Sequence, residues 1–338
     1  MLKTYIEKLM AGKSLTEMEA QTAVNKILNG ANPSQVAAFL VLLRAKKETT
    51  DEILGIVRGM RERMVTLPIT TPVLDIVGTG GDGANTINVS TGAAILAASC
   101  GVKVAKHGNR SVSSQCGSAD VLETLGVNIN LSPEKVTKCI EEVGIGFCFA
   151  PNFHPAMKSI KEIRKSLAVP TCFNMVGPLL NPAKAAYLLI GVFNEELMHL
   201  IAKVVFELGT QRSLVFHGNG LDELSCIGSA NVLEISISGI RPKVLDPEYF
   251  GFSRCEVGDL KGGSAKENAM ILLDVFNGKP GAIADTLIFN AAVAIYIYGI
   301  TQSIEQAIVM VKDNIKTGKV INLLNKFIHF NQGEYTHE

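Results

Sequence analysis

The sequence predicts an α/β protein in two parts: a small α-helical N-terminal domain and a large α/β domain with a mostly parallel central sheet. Three observations carry this. Residues 1–66 show helical spacing of apolar residues and helix-capping patterns, with no strand-like run. From Val73 onward, short Val/Ile/Leu-rich runs alternate with helical segments, the pattern of a parallel sheet covered on both faces. The chain has 338 residues, 47% of them hydrophobic, which is enough to bury a large core.

In the helical part, Leu2, Ile6, Leu9 and Met10 form one apolar face. Ser14 followed by Glu17 reads as a capping box, opening a helix that runs to about Leu28 and stops at Gly30. Asn32 and Pro33 read as N-cap and first helical residue of the next helix, through Arg44. Thr49 with Glu52 is a second capping box, opening a helix that ends near Met64. Residues 67–72 hold two prolines and read as a linker. Four short helices without a glycine-rich loop suit packing or dimerisation, and a simple helical cap on the next domain fits equally well.

The α/β part opens with a strand at residues 73–77, a glycine turn and a helix over 91–100. Strands are then expected at 102–105, 145–150, 187–192 and 213–217, with a less regular β segment around 231–238. Helices are expected at 119–125, from the Ser132-Pro133 cap to Gly144, at 154–167, at 195–208, and through the last 75 residues from about Ser264. In such sheets ligands sit at the carboxyl ends of the strands.

Charge and cysteine content narrow the function classes. Lys+Arg and Asp+Glu balance at 32 each, so the basic excess of a nucleic-acid binder is missing, although Lys103, Lys106 and Arg110 could make a local patch. Seven cysteines, an odd number with no CxxC pair, argue against a disulfide framework or a cysteine-rich zinc site and for a reducing compartment. The N-terminus is an amphipathic helix with acidic residues, unlike a signal peptide. The most apolar run, residues 282–300, is interrupted by Asp285 and Asn290 and reads as a core helix, not a membrane span. The expected location is the cytoplasm, with no membrane association.

Four stretches carry candidate chemistry. In VLDIVGTGGDGANTINVST, Gly78, Gly80, Gly81 and Gly83 lie between a strand and a helix start, a geometry that presents bare backbone N–H groups to an anion. Asp82, Ser90 and Thr91 add groups suited to ribose, phosphate or metal; a plain tight turn would use similar glycines. In KHGNRSVSSQCGSAD, the cations Lys106, His107 and Arg110, with Asn109 and the hydroxyls of Ser111, Ser113, Ser114 and Ser118, suit a pyrophosphate and a sugar. In HGNGLDELS, the adjacent carboxylates Asp222 and Glu223 can both reach a divalent metal, and magnesium favours few protein carboxylates together with waters and phosphates. In HPAMKSIKEIR, Lys158, Lys161 and Arg164 recur at helical spacing; the lysines read as solvated, and Arg164 suits a substrate carboxylate. The Pro/Gly-rich TCFNMVGPLLNP could wall a flat aromatic substrate. Gly78, Gly80 and Gly83 also satisfy GxGxxG, but the next strand ends in Lys106 where a dinucleotide site wants an acid. There is no P-loop, and His154 and His217 are too distant in sequence to imply a shared metal.

Taken together, GTGGDGANTINVST, KHGNRSVSSQCGSADVLETLG, APNFHPAMK, IRKSL, FNMVGPLLNP and GLDELS resemble the anthranilate phosphoribosyltransferase family along the whole chain. The resemblance implies a fold related to the pyrimidine nucleoside phosphorylases. Its helical domain would comprise residues 1–66, completed by about 163–185, and its α/β domain residues 73–162 and 186–338. The site would lie at the hinge between them. The implied reaction is a step of tryptophan synthesis: the amine of anthranilate displaces pyrophosphate from phosphoribosyl pyrophosphate. The resemblance assigns phosphoribosyl pyrophosphate to Gly78, Gly81, Asp82, Thr86, Asn88, Val89, Ser90, Thr91, Lys106, His107, Gly108, Asn109, Arg110, Ser111, Val112, Ser113, Ser114 and Ser118. It assigns anthranilate to Gly78, Asn109 and Arg164, and two Mg2+ ions per monomer to Ser90, Asp222 and Glu223. It further implies a homodimer through the N-terminal helices and names no obligatory general base. One departure is Ala168, where members often have Gly. Two competing readings are a nucleoside phosphorylase of the same fold, which would not need the acid pair, and a non-catalytic nucleic-acid binder, which the zero net charge disfavours.

Overall fold

The structure is a computed structural model that describes residues 2–111 and 115–332. It opens with four helices: α1 (Lys3–Met10), α2 (Glu17–Leu28), α3 (Pro33–Lys46) and α4 (Thr50–Arg61). The N-cap Asn32 and the Thr49–Glu52 capping box stand as the sequence predicts. The box before α2 does not: Thr16 and Glu19 form it, and α2 starts at Glu17. Ser14 is instead a hydrogen-bond acceptor for Lys46. Met10 is 70% exposed and so lies off the apolar face it was expected to join.

Glu52 is the polar keystone of this unit. Its fully buried carboxylate accepts the Thr49 N–H at 2.8 Å, the Leu15 N–H at 2.9 Å and the Lys46 ammonium at 2.9 Å. One side chain thus caps α4 and ties down both the loop before α2 and the end of α3.

The remaining chain builds a seven-stranded sheet. Its strands are β1 (Leu74–Gly78), β2 (Val104–Gly108), β3 (Ile145–Phe149), β4 (Tyr187–Gly191), β5 (Arg212–His217), β6 (Ala230–Ser236) and β7 (Gly239–Leu245). The order is β3-β2-β1-β4-β5-β6-β7; the first five strands are parallel, and β6 and β7 add antiparallel at one edge. The helices are α5 (Val89–Ser99), α6 (Ser118–Thr124), α7 (Pro133–Glu142), α8 (Ala150–Phe153), α9 (Lys158–Leu167), α10 (Phe173–Val176), α11 (Met198–Glu207), α12 (Ala265–Phe276), α13 (Ala282–Tyr298), α14 (Ile304–Lys316) and α15 (Lys319–Gln332). Among the described residues no helix is long and apolar enough to cross a membrane.

The two-residue period of the strands splits the core. Leu74, Ile76 and Val104 face one cluster, shared with α5 and α12–α15. Val73, Ala105 and Ile190 face the other, shared with α1–α4, residues 172–185 and α11. The helical unit therefore packs on one face of the sheet, and α9 packs against α2 and α3.

Three expectations need correcting. The second strand begins at Val104, not 102, and runs through Lys106 and His107 to Gly108, paired along its length with β3. Polar residues marked it as a loop, but the fold buries and pairs them. The segment expected as one helix over 154–167 is a 3-10 turn at Pro155–Met157 leading into α9 from Lys158. The less regular β segment is a hairpin, with β7 concealed from pattern reading by its charged, mostly exposed residues and Pro242. Ala168 ends α9 in the left-handed region at φ 52°, where a β-carbon costs about 1–2 kcal/mol.

Glu52→Ala strands a half-buried ammonium and a buried N–H, and should destabilise the protein by about 3 kcal/mol in urea unfolding; an unchanged midpoint would remove Glu52 from this role.

Candidate active site

The site begins where the strand order reverses, between β1 and β4, the place at which open α/β sheets bind ligands. Their last residues, Gly78 and Gly191, pair in register. Both must lack a side chain. A β-carbon on Gly78 would overlap the Asp222 carboxylate, and one on Gly191 would overlap the Asp222 backbone. The two bare strand tips are a seat for Asp222, whose Oδ2 accepts the Gly80 N–H at 2.5 Å.

Beyond the seat, Gly80, Gly81 and Gly83 take φ of 68°, 91° and 70°, which lets the turn fold tightly. The outgoing limb is pinned from outside: Ile87 N–H donates to Leu260 O and Gly262 N–H to Asn85 O, both at 2.9 Å. The Thr86 hydroxyl donates to Glu223 Oε2 at 2.9 Å. From below, buried Asn290 donates to Leu224 O at 2.6 Å, holding the residue that follows the acid pair. Asn88, the N-cap of α5, makes no side-chain cap bond. It donates to Cys116 O at 3.0 Å and accepts from the amide of buried Asn268 at 2.9 Å, linking both polar loops to the start of α12. Ser90 and Thr91 fall in the first turn of α5, and the Thr91 hydroxyl is buried without a partner among the described residues.

The charges are crowded, with Lys106 buried and Asp222 and Glu223 half-buried. Burial raises the Asp222 carboxyl well above the carboxylate range, helped by the neighbouring Asp82. Burial likewise raises the Glu223 carboxyl well above its usual range, with Asp222 beside it. Lys106, 3% exposed, donates from Nζ to Ile76 O at 2.7 Å. Burial pushes its pKa down, while Asp75, Glu223 and Asp222 pull it up. Asp82 itself accepts the Ala84 N–H at 3.1 Å. Asp222 and Glu223, with Asp82 beside them, offer hard oxygens next to a cradle of amides and fit a divalent cation. Among the described residues no three His, Cys, Asp or Glu side chains close a cage of their own, so such a cation needs oxygens from elsewhere.

The polar loop after β2 is stapled by Asp120, whose Oδ2 accepts the N–H of Ser111 at 3.0 Å and of Gly117 at 2.9 Å. Asn109 Oδ1 accepts the Arg110 N–H, and the Ser118 hydroxyl donates to Asn109 O. Arg110 turns to α6, where it pairs with Asp120 and, through both terminal nitrogens, with Glu123. Val112, Ser113 and Ser114 lie outside the described residues.

His107 and His154 face each other with ring centroids 5.2 Å apart. Burial lowers His107 to about 3 and His154 to about 4, so both are neutral at physiological pH. They reach the backbone at Gly177 and Leu180 respectively, joining β2 to the Pro/Gly-rich segment. His217 lies apart from them, with Nδ1 2.8 Å from Val192 O. Arg164 on α9 is half-buried with its guanidinium 5.5 Å from the Phe173 ring. Burial lowers its pKa, and no carboxylate among the described residues is paired with it. Lys158 and Lys161 are exposed.

The structure thus brings Gly78, Gly80, Asp82, Thr86, Lys106, Asp222 and Glu223 together, with Val89, Ser90 and Thr91 at the adjoining helix start and His107, Gly108 and Asn109 at the tip of β2. Pattern reading missed Gly191, Asn268 and Asn290. Only Asn290 left a trace, as a polar break in an apolar helix.

The family model described as "Glycosyl transferase family, helical bundle domain" matches residues 3–64, and "Glycosyl transferase family, a/b domain" matches residues 70–321. The chain is 48% identical to the anthranilate phosphoribosyltransferase of Chlamydia felis, over 98% of this chain and 97% of that one. Among solved structures it is similar to the anthranilate phosphoribosyltransferase of Thermus thermophilus, with a TM-score of 0.91, 40% identity and coverage of 97% and 99% of the two chains. The Saccharomyces cerevisiae enzyme in complex with PRPP and Mg gives a TM-score of 0.91 at 31% identity, covering 98% of each chain. With the two-part fold, the glycine cradle and the acid pair in place, the chain belongs to the anthranilate phosphoribosyltransferase family.

Proposed function

We propose that this enzyme transfers the phosphoribosyl group of phosphoribosyl pyrophosphate to the amine of anthranilate, releasing pyrophosphate and giving N-(5-phosphoribosyl)anthranilate for tryptophan biosynthesis. The observation that carries the reading is the meeting of a glycine cradle, a buried lysine and a half-buried acid pair at the tips of β1, β2 and β4. A phosphorolysis site of the same fold has no use for the acid pair.

Displacement at C1 leaves positive character on the ribose and puts negative charge on the departing pyrophosphate. Lys106, the amides of residues 81–83 and the start of α5 meet that charge from fixed positions, which is where preorganised groups gain most. Ser90, Asp222 and Glu223 would hold two magnesium ions, with Thr86 orienting Glu223; bound magnesium neutralises charge on the pyrophosphate oxygens. The remaining donor contacts fall to Gly81, Asp82, Asn88, Val89, Thr91, His107, Gly108, Arg110, Ser111, Val112, Ser113, Ser114 and Ser118. Arg110 would have to exchange its α6 partners for phosphate. Arg164 takes the anthranilate carboxylate, between Phe173 and α9, with Gly78 and Asn109 nearer the amine. An aniline nitrogen is neutral and attacks without a strong base.

The helical domain of residues 1–66 and about 163–185 is proposed as one body; α9 packing on α2 and α3 supports it. The seven free cysteines suit the cytoplasm. A homodimer through the N-terminal helices is supported by Met10, Met18 and Val41, which stay exposed there. Light scattering should give twice the 36.2 kDa chain mass; a monomer at micromolar concentration counts against the dimer.

Asp222→Ala with Glu223→Ala should lower turnover by about 100-fold or more with the fold retained, read by anthranilate fluorescence loss with donor and magnesium. Gly191→Ala, which pushes Asp222 off its seat, should share the loss. Wild-type rates in both would sink the metal assignment. Arg164→Ala should raise the KM for anthranilate by about 10-fold or more and leave that for the donor within about twofold; equal effects would remove the carboxylate role.

A further inference from the structure

A parallel ladder that begins with Leu74 opposite Val104 has a set continuation. Two residues on, the Ile76 N–H donates to the Ala105 carbonyl and the His107 N–H donates to the Ile76 carbonyl. Here the β1–β2 ladder stops at its first pair, while β1–β4 and β2–β3 each run for five. The four groups of the missing rung are buried, so each needs another partner.

Side chains supply them. The His107 N–H donates to Asp75 Oδ1 at 3.2 Å, and the Ile76 N–H also serves the Asp75 carboxylate. The Ala105 carbonyl accepts from Asn181 Nδ2 at 2.7 Å. The Ile76 carbonyl accepts from Lys106 Nζ at 2.7 Å. The Asn181 amide donates as well to Asp75 Oδ2 at 2.7 Å, closing the set. Asp75 is completely buried and forms no ion pair among the described residues, an arrangement that burial penalises. An apolar residue here would avoid that penalty and let the rung close. It would then return the Ile76 carbonyl to His107 and leave Lys106 without its anchor.

We propose that Asp75 is a positioning residue that replaces the second β1–β2 rung, keeps the two strand tips unpaired, and so sets Lys106 toward the pyrophosphate and Asn181 under the wall of the acceptor site. Asp75 touches neither substrate. It acts on the donor through Lys106 and on the acceptor through Asn181, the last polar residue of TCFNMVGPLLNP. The inference rests on the phosphoribosyl transfer proposed above, but the missing rung does not.

The test is Asp75→Asn, which keeps the shape but sets an amide against the Asn181 amide, in the full-length protein. Outer partners of this kind typically contribute about 10–100-fold. The kcat should fall by that factor with far-UV circular dichroism unchanged, and hydrogen exchange of the backbone around residues 105–108 should accelerate by about 10-fold or more. If Asp75→Asn does not fold, Asn181→Ala decides, with kcat expected about tenfold lower and the donor KM within about twofold. Wild-type kcat, wild-type protection around His107, or loss only in step with unfolded protein would overturn the proposal. A wild-type enzyme inactive on these substrates would instead overturn the functional reading, with the exchange data still judging Asp75.

Discussion

Everything at the candidate site depends on two strand tips that carry no side chains. Gly78 and Gly191 end neighbouring parallel strands in register, and Asp222 occupies the space that two β-carbons would fill. That contact crosses 142 residues of sequence between Gly80 and Asp222. It places an acid inside the glycine cradle and not merely near it. The turn in turn keeps its shape because Asp222 takes the Gly80 N–H, while residues 260–262 hold its outgoing limb. A backbone that would otherwise be a floppy glycine loop is fixed by hydrogen bonds on both sides, which is what an anion cradle needs to avoid ordering cost on binding.

The second constraint is electrostatic. Asp75 and Lys106 are buried and Asp222 and Glu223 half-buried, and burial works against the charged form of each. Lys106 offsets part of the cost, because all three acids lie within its field. The acids exceed the lysine in number, so the cluster is short of positive charge. A divalent cation supplies it, and a polyphosphate supplies oxygens that the protein does not. The neutral His107–His154 pair and Arg164, which has no carboxylate partner among the described residues, lie on the helical-domain side of this cluster, so the cations Lys106 and Arg164 stand apart.

Much of this was legible from residue type. The glycine turn, the KHGNR loop, the acid pair and Arg164 stand out because their chemistry is unusual for the elements that hold them. The parts that were not legible are those whose chemistry is ordinary until the fold assembles. Gly191 looks like any glycine ending a strand. Asn268 looks like a polar residue on a helix, yet its amide links Asn88 to Gly263 from a buried position. Lys106 and His107 read as loop because lysine and histidine are poor residues for a buried strand. They are strand because β2 pairs with β3 along its length, while side chains take the place of the β1 ladder on the other side. Arg110 read as a phosphate ligand, and α6 offers it two acids that sequence spacing alone does not set against it.

By itself the sequence determined what depends on local pattern: a helical segment followed by alternating strands and helices, the caps of α3 and α4, the glycine turn, and the family through its motifs. Tertiary structure alone decided which strand tips adjoin, that the β1–β2 ladder ends after one pair, and which acids gather around Lys106. The physical reason is range. Helical periodicity and turn chemistry act within a few residues, whereas desolvation, register and the seat under Asp222 exist only when segments more than a hundred residues apart exclude water together.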